Sequence, residues 1–367
     1  MKKTLLSLFA LSALLLTGCK EKSAPVEVID LPRAEAPAGL EAAVDAFVEA
    51  TQTRPVAPDS ISLHSIMIVK DGQVVLERWM NGHTPTTPHQ MHSVSKTFTA
   101  TAVGMAIDEG KLSLTDQVIS FFPDQLPAEV SPNLEAMTVR DLLTMTCGHN
   151  SEPQISRFLD PDNQDDASLD WVTAFLAWPV DHKPGEYYLY NSFGTYMLSA
   201  IVQKVTGQKV LDYLDTRLFQ PLHIARPAWA ESPQGISCGG WGLQLTTEDM
   251  AKMGQLFLQR GMWNGQQLVS AEWLQQMSSY QVPSAPSGTP FEKLEEYGIT
   301  KDNNEWAQGY GYQMWICRHG AYRADGYAGQ YIMVFPERDI VLVLTTSSSL
   351  YQPYMDIIWE CLLPALN

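Results

Sequence analysis

Ser93-Val94-Ser95-Lys96 sets a hydroxyl and a primary amine three residues apart where an apolar run begins. On a helix those positions share a face, so the Lys96 amine can reach the Ser93 oxygen and serve as its base. A serine at a helix start also has free backbone N–H groups and the positive end of the dipole beside it, which suits the developing oxyanion of acyl transfer. The plainer reading of the same four residues is an N-cap serine with a solvated lysine. An amine with an ordinary pKa of about 10.4 is a poor base at neutral pH, so the chemical reading requires burial or a nearby positive charge to disfavour the ammonium. It also requires a second group to share the proton. Pro184-Gly185-Glu186-Tyr187-Tyr188-Leu189-Tyr190-Asn191-Ser192 offers Tyr190 on a turn before another apolar stretch, where a phenolate could accept the serine proton and pass it to a leaving group.

Other candidate centres are weaker. Gly235-Ile236-Ser237-Cys238-Gly239 has the spacing of a nucleophile elbow, but Pro233 before it and Gly240-Trp241-Gly242 after it read as loop rather than strand and helix. Cys147-Gly148-His149 has no second Cys/His pair at ligand spacing, so neither a metal site nor a cofactor is expected. The histidines, including His92 beside the serine and His149, read as structural. Four cysteines besides Cys19, namely Cys147, Cys238, Cys317 and Cys361, are too scattered for their pairing to be read from spacing.

Several elements must position these residues. Ser62 to Lys70 and Gln73 to Met80 are β-rich and joined by Asp71-Gly72, a strong hairpin signal. Thr97 to Ile107 is small and apolar nearly all round, which predicts a buried helix. From Lys111 to Gln234 helical segments alternate with Pro- and Asp-rich loops, and Tyr196 to Val205 is one such helix. Thr247 to Arg260 reads as a helix stopped by Gly261. Val282 to Glu305 is polar and irregular. Gly309 to Cys317, Tyr331 to Pro336 and Ile340 to Thr346 read as strands, and Tyr354 to Leu363 as a closing helix. Strands at both ends with helices between predict an α+β fold, an antiparallel sheet flanked by helices with an inserted all-helical region.

The N-terminus reads as a targeting segment. Met1-Lys2-Lys3, an apolar run from Thr4 to Leu16, and Thr17-Gly18-Cys19 have the regions of an export signal, and the apolar run is too short to span a bilayer. Leu16-Thr17-Gly18-Cys19 resembles the bacterial lipobox, which implies cleavage before Cys19 and lipidation of its sulfur. The expected organisation is a signal over 1–18, a disordered tether over 19–38, and one domain over 39–367. Within it, 39–110 and 235–367 form the sheet-bearing part and 111–234 the helical insertion. The chain would then face the periplasm, held to a membrane, with Lys20 after the cysteine favouring the outer one. A net charge of −17 excludes nucleic acid as a partner. The sequence carries no signal of oligomeric state.

The collected motifs resemble the serine β-lactamase and penicillin-binding superfamily, in its class C-like branch. Ser93-Val94-Ser95-Lys96 and Tyr190-Asn191-Ser192 match its first two motifs. Thr138-Val139-Arg140-Asp141-Leu142-Leu143-Thr144-Met145-Thr146-Cys147-Gly148-His149, Gly239-Gly240-Trp241-Gly242-Leu243 and Gly326-Tyr327-Ala328-Gly329-Gln330 fall in the family's order. The resemblance implies Ser93 as the acylated nucleophile, Lys96 and Tyr190 as the proton-transfer pair, and the N–H groups of Ser93 and Tyr327 as the oxyanion hole. It implies substrate contacts from Ser192, Ala324, Asp325 and Gly326. Two departures matter. Ser192 stands where Asn is frequent, and Ala324-Asp325-Gly326 replaces a Lys/His-Thr/Ser-Gly motif, so the cation for a substrate carboxylate is missing. Arg323 is adjacent, but strand alternation turns it to the opposite face from Ala324. This argues against efficient β-lactamase action. It favours a small ester or amide substrate, as in esterases and hydrolases similar to the 6-aminohexanoate-dimer amidase, with Asp325 preferring a cationic or amine-bearing one if it faces the pocket. A β-lactamase, a D-alanyl-D-alanine peptidase and a non-catalytic peptidoglycan-binding lipoprotein are the alternatives.

Overall fold

The hairpin that the Asp71-Gly72 pair predicts is present, with φ of 51° and 74° at its two central residues, the left-handed values a two-residue turn of this kind requires. The structure, a computed structural model, describes residues 29–55, 59–152 and 169–366. The expected export signal and Cys19 lie outside the described residues.

Helix α1 (Leu40–Thr53) is followed by strands β1 (Ile61–Lys70) and β2 (Gln73–Trp79). Helix α2 (Ser95–Asp108), helix α3 (Ser192–Thr206) and helix α4 (Thr247–Leu258) come next. Then come β3 (Trp315–Ile316), β4 (Tyr322–Gly326), β5 (Gln330–Phe335), β6 (Ile340–Ser348) and helix α5 (Gln352–Ile357). The six strands form one antiparallel sheet in the order β2-β1-β6-β5-β4-β3, so the first hairpin pairs with the last strand of the chain.

Side-chain alternation divides the core into two layers. Met67 and Val69 of β1, Val341 and Val343 of β6, and Ala324 of β4 join α2, α3 and α4 on one face. Ile66, Ile68, Leu342 and Leu344 join Val44 and Phe47 of α1 and Tyr354 of α5 on the other. Between α2 and Gln234 the described residues are helical or irregular, with isolated bridges as their sole extended pairing.

Two stretches depart from the sequence reading. Residues 29–38, expected to be free tether, are docked: Leu31 is buried, its N–H donates to Glu248 Oε1 at 2.6 Å, and Arg33 bridges in parallel to Val74 of β2. The apolar content there is small, but Arg33 adds ion pairs to Glu77 and Glu248 at 2.7 Å each. Of the strand expected over Gly309 to Cys317, Trp315–Ile316 pairs with β4. Gln313 has φ of 57° and sends its side chain into the helical layer, where Nε2 donates to the Leu142 and Leu143 carbonyls at 3.0 Å each. The buried amide's hydrogen bonds outweigh strand propensity there.

Candidate active site

Ser93 lies in a 3-10 turn, His92–Val94, that runs directly into α2. Every residue of α2 from Ser95 to Ala106 is buried, so the helix passes through the interior and Lys96 is 1% exposed. Its Nζ is 2.9 Å from Ser93 Oγ, 3.0 Å from Ser192 Oγ and 2.9 Å from the Gly240 carbonyl oxygen. An ammonium would donate to all three. A neutral amine donates to Ser192 and Gly240 and keeps its lone pair for the Ser93 hydroxyl. Burial lowers Lys96 to about 7, against the opposing pull of Glu152 and Asp325. The unprotonated amine that the sequence reading asks for is therefore supplied by desolvation.

Tyr190 precedes α3, whose first turn is capped by Asn191 Oδ1 accepting from the Gly194 N–H at 3.0 Å. Asn191 Nδ2 meets His149 Nδ1 at 2.9 Å, and the Leu189 N–H donates to the Met145 carbonyl at 2.9 Å. The segment Thr138 to His149 thus fixes the backbone on which Tyr190 stands, and His149 is a structural residue. The Tyr190 hydroxyl is hydrogen-bonded to Ser93. Burial pushes this phenol well above its usual range, despite that hydrogen bond. The phenolate expected from sequence is corrected on this point: burial disfavours both charged forms, so at neutral pH Tyr190 stands as a protonated phenol beside an amine that is about half unprotonated.

Two glycines allow the backbones to converge. A Cβ at Gly240 would lie 2.7 Å from the Ser192 carbonyl oxygen, and one at Gly326 would lie 2.4 Å from the Met91 carbonyl oxygen. The first contact lets the Gly240 carbonyl reach Lys96. The second brings the end of β4, and with it Tyr327, against the turn that carries Ser93. The Tyr327 ring meets His92 edge-on at 5.5 Å and is 65% exposed.

Ser93, Tyr190, Trp306, Trp315, Asp325 and Tyr327 are among the residues lining a cavity of about 370 Å³. Asp325 faces it. Ala324 does not: it is fully buried in the helical-side core, so its expected substrate contact is corrected by the pleat of β4, which turns Ala324 inward. Gly326 likewise meets Met91 and is outside the lining. Arg323 is on the Asp325 side of the strand and is wholly buried. Its Nε donates to Asp325 Oδ2 at 2.9 Å, its Nη1 is 3.9 Å from Glu305 Oε1, and its guanidinium carbon is 4.9 Å from the Trp306 ring centre. No Lys or Arg is among the described residues lining the cavity. The Asp325 carboxylate is therefore present at the wall but paired from behind.

Sequence reasoning missed Trp315, Glu305, the Gly240 carbonyl and Glu152. The Glu152 Oε1 accepts from the Ser192 N–H at 2.5 Å. Gly240 lay in a recognised motif without a role, and the others have no local pattern that marks them. Ser237 of the nominal elbow is fully buried and bridged in a loop to Glu231. The four cysteines among the described residues, Cys147, Cys238, Cys317 and Cys361, are free thiols.

Solved structures share this architecture. A Bacillus anthracis protein provisionally named a 6-aminohexanoate-dimer hydrolase superposes with a TM-score of 0.72 at 18% identity, over 94% of this chain and 90% of that one. The octameric penicillin-binding protein homologue from Pyrococcus abyssi superposes with a TM-score of 0.63 at 23% identity, over 89% of this chain and 76% of that one. In sequence, the 6-aminohexanoate-dimer hydrolase of Paenarthrobacter ureafaciens is 26% identical over 301 residues, 77% of this chain and 72% of that protein. The Beta-lactamase family model matches residues 40–360, a span that holds the Ser93 turn, Tyr190 and the whole sheet, and the chain belongs to that family.

Proposed function

We propose that this chain is a serine hydrolase that cleaves an ester or amide through an acyl-enzyme at Ser93. The observation that carries this is the Lys96 amine, lowered to about 7 by burial and held 2.9 Å from the Ser93 oxygen. In the proposed reaction the neutral amine takes the Ser93 proton as Oγ attacks the substrate carbonyl carbon. The N–H groups of Ser93 and Tyr327 receive the oxyanion. The Tyr190 hydroxyl donates its proton to the leaving oxygen or nitrogen, and the Lys96 ammonium restores it. A water molecule then repeats the sequence against the acyl carbon and frees Ser93.

The cavity supports a substrate without a carboxylate near the reacting carbon. Its charged wall residue is Asp325, and the nearest guanidinium is sealed beneath it by Asp325, Glu305 and the tryptophans. An aromatic lining of Tyr190, Trp306, Trp315, Tyr327 and Tyr351 fits a neutral or amine-bearing acyl chain. The hydrolysis of a 6-aminohexanoate dimer named for the Paenarthrobacter relative is an amide reaction on such a chain, which supports including linear amides in the proposed substrate class. We place the enzyme on the periplasmic side of a membrane, lipid-anchored through Cys19, on the strength of the N-terminal sequence.

The test is fluorophosphonate labelling with the adduct mapped by mass spectrometry, together with rates on p-nitrophenyl acetate and nitrocefin. The expected result is an adduct at Ser93 and ester turnover well above nitrocefin turnover. No adduct and no ester turnover would leave a binding protein instead, and nitrocefin rates equal to ester rates would defeat the argument from the cavity wall.

A further inference from the structure

Three histidines from separate parts of the chain stack beside the catalytic turn. His64 stands in β1 where the pairing with β6 slips between Leu63 and Ser65, a bulge of the kind that re-aims a side chain. His83 follows β2 after a turn through Asn81 and Gly82, with φ of 54° and 81°. His89 belongs to a two-residue strand, His89–Gln90, paired with Gln244–Leu245. The His64 and His83 rings are 4.0 Å apart, the His83 and His89 rings 5.1 Å, and the three planes agree within 18°. One ring nitrogen from each residue lies within 4.8 Å of the other two.

The details favour ligands over packing. His83 Nδ1 is 3.2 Å from the Met80 carbonyl oxygen, so that nitrogen carries the proton and Nε2 keeps a free lone pair, the arrangement that orients metal-binding imidazoles. His89 is 5% exposed and its Nε2 is buried without a partner, an unsatisfied atom that a metal bond would complete. The three line a cavity of about 340 Å³ that also reaches His92 and Tyr327, so an open coordination position has access to solvent.

We propose that His64, His83 and His89 bind a divalent transition metal of the zinc class through three imidazole nitrogens, leaving the fourth position to water or an incoming ligand. Tetrahedral zinc with Zn–N bonds of about 2.0 Å needs nitrogens roughly 3.4 Å apart. The set must therefore contract from its 4.8 Å spread, and the stacked rings must turn out of parallel so that their in-plane lone pairs converge, which rotation of the half-buried His64 and His83 side chains can supply. No carboxylate belongs to the set, which disfavours calcium and magnesium. Tyr327 lines this cavity and the Ser93 cavity alike, which places the metal on the far side of the turn that borders the nucleophile. The site does not depend on the hydrolase reading. The spacings from His64 to His83 and from His83 to His89 match no local ligand motif, which is why the sequence alone shows no metal.

The experiment is a titration of chelator-stripped protein with zinc sulfate by calorimetry, with thermal unfolding at each metal concentration. The expected result is one zinc per chain and a melting temperature that climbs with zinc concentration. His64→Ala and His83→Ala, both away from the buried core, should each weaken zinc binding at least tenfold and abolish the thermal gain. Unchanged binding in both variants would assign the zinc to surface carboxylates and overturn the proposal, as would no binding by the wild type. Cobalt loading of the wild-type protein gives a reading independent of any variant. The visible bands of a four-coordinate, nitrogen-ligated ion are expected, and the weak spectrum of an octahedral aquo ion would overturn the site.

Discussion

Trp315 lies nearly flat on Tyr190, with ring centroids 5.6 Å apart and planes inclined by 20°, while Lys96 Nζ stands 4.8 Å from the centre of the tyrosine ring. The phenol is thus fixed by an aromatic plate on β3, the shortest strand of the sheet. Trp315→Ala should release it, and a displacement of about 1 Å at a reacting group costs on the order of 10²-fold in rate. The expected outcome is a fall of that size in kcat on p-nitrophenyl acetate with fluorophosphonate labelling of Ser93 retained but slowed.

The neutral Lys96 amine makes activity depend on pH in a definite direction. Its ammonium form is inactive, so kcat/KM should rise with pH through an apparent pKa of about 7 and then level off. Stability should follow as well. Between pH 7 and 10.5 the unfolded lysine holds a proton that the folded amine has lost, so this group's contribution to unfolding free energy rises with pH across that window and is flat below it. Urea unfolding of wild type and Lys96→Met at both ends of the window isolates the effect, and the variant should lose the slope.

Ser93→Ala should abolish turnover and fluorophosphonate labelling. Lys96→Ala and Tyr190→Phe should each lower kcat by about 10² to 10⁴-fold. Because the two act on one proton, the double variant should be little worse than either single one. Steady-state rates on one ester decide this, and full additivity would separate their roles.

Arg323 pairs with Asp325 at 2.9 Å and stands 3.9 Å from Glu305, whose closer cation is Arg318 at 2.6 Å. Removing Arg323 leaves the Asp325 carboxylate without its cation, while Glu305 keeps Arg318 at 2.6 Å. Arg323→Met should destabilise the fold by about 3–5 kcal/mol, measured by urea unfolding. Asp325→Asn keeps the fold better and should raise the nitrocefin-to-ester rate ratio, because a negative wall charge is removed.

Gly326→Ala would set a Cβ 2.4 Å from the Met91 carbonyl oxygen. The strand end must then retreat from the Ser93 turn and take the Tyr327 N–H with it. Loss of one oxyanion donor is worth about 10² to 10³-fold in kcat. That loss, with KM little changed, is the expected kinetic signature.

What was readable in the sequence is what local chemistry determines. Asp71-Gly72 makes a hairpin wherever it stands between strands, and Ser93 and Lys96 meet because a helical turn puts them together. Tyr190 and Ser192 were placed by motif, and the structure brings both to Lys96. Their protonation was not readable, since it depends on burial from many distant segments, and the phenolate expectation failed for that reason. The Arg323–Glu305 network and the histidine stack join residues whose proximity is a product of topology. Gly309 to Cys317 looks like a strand by composition, yet Gln313 satisfies its amide in another layer and bends the chain away.

The docked segment at Leu31 and Arg33 covers one margin of the sheet. The Ala34 N–H donates to the Val74 carbonyl and the Val74 N–H donates to the Pro32 carbonyl, at 2.9 Å and 2.8 Å, so a short flap occupies part of the outer hydrogen-bonding side of β2. A recombinant chain begun at Gly39 would strip that flap away and leave the outward N–H and C=O of Val74 without partners on a border strand, with Glu248 deprived of its guanidinium. Such a truncation invites edge-to-edge association between copies, and a recombinant chain should be started upstream of Ile29.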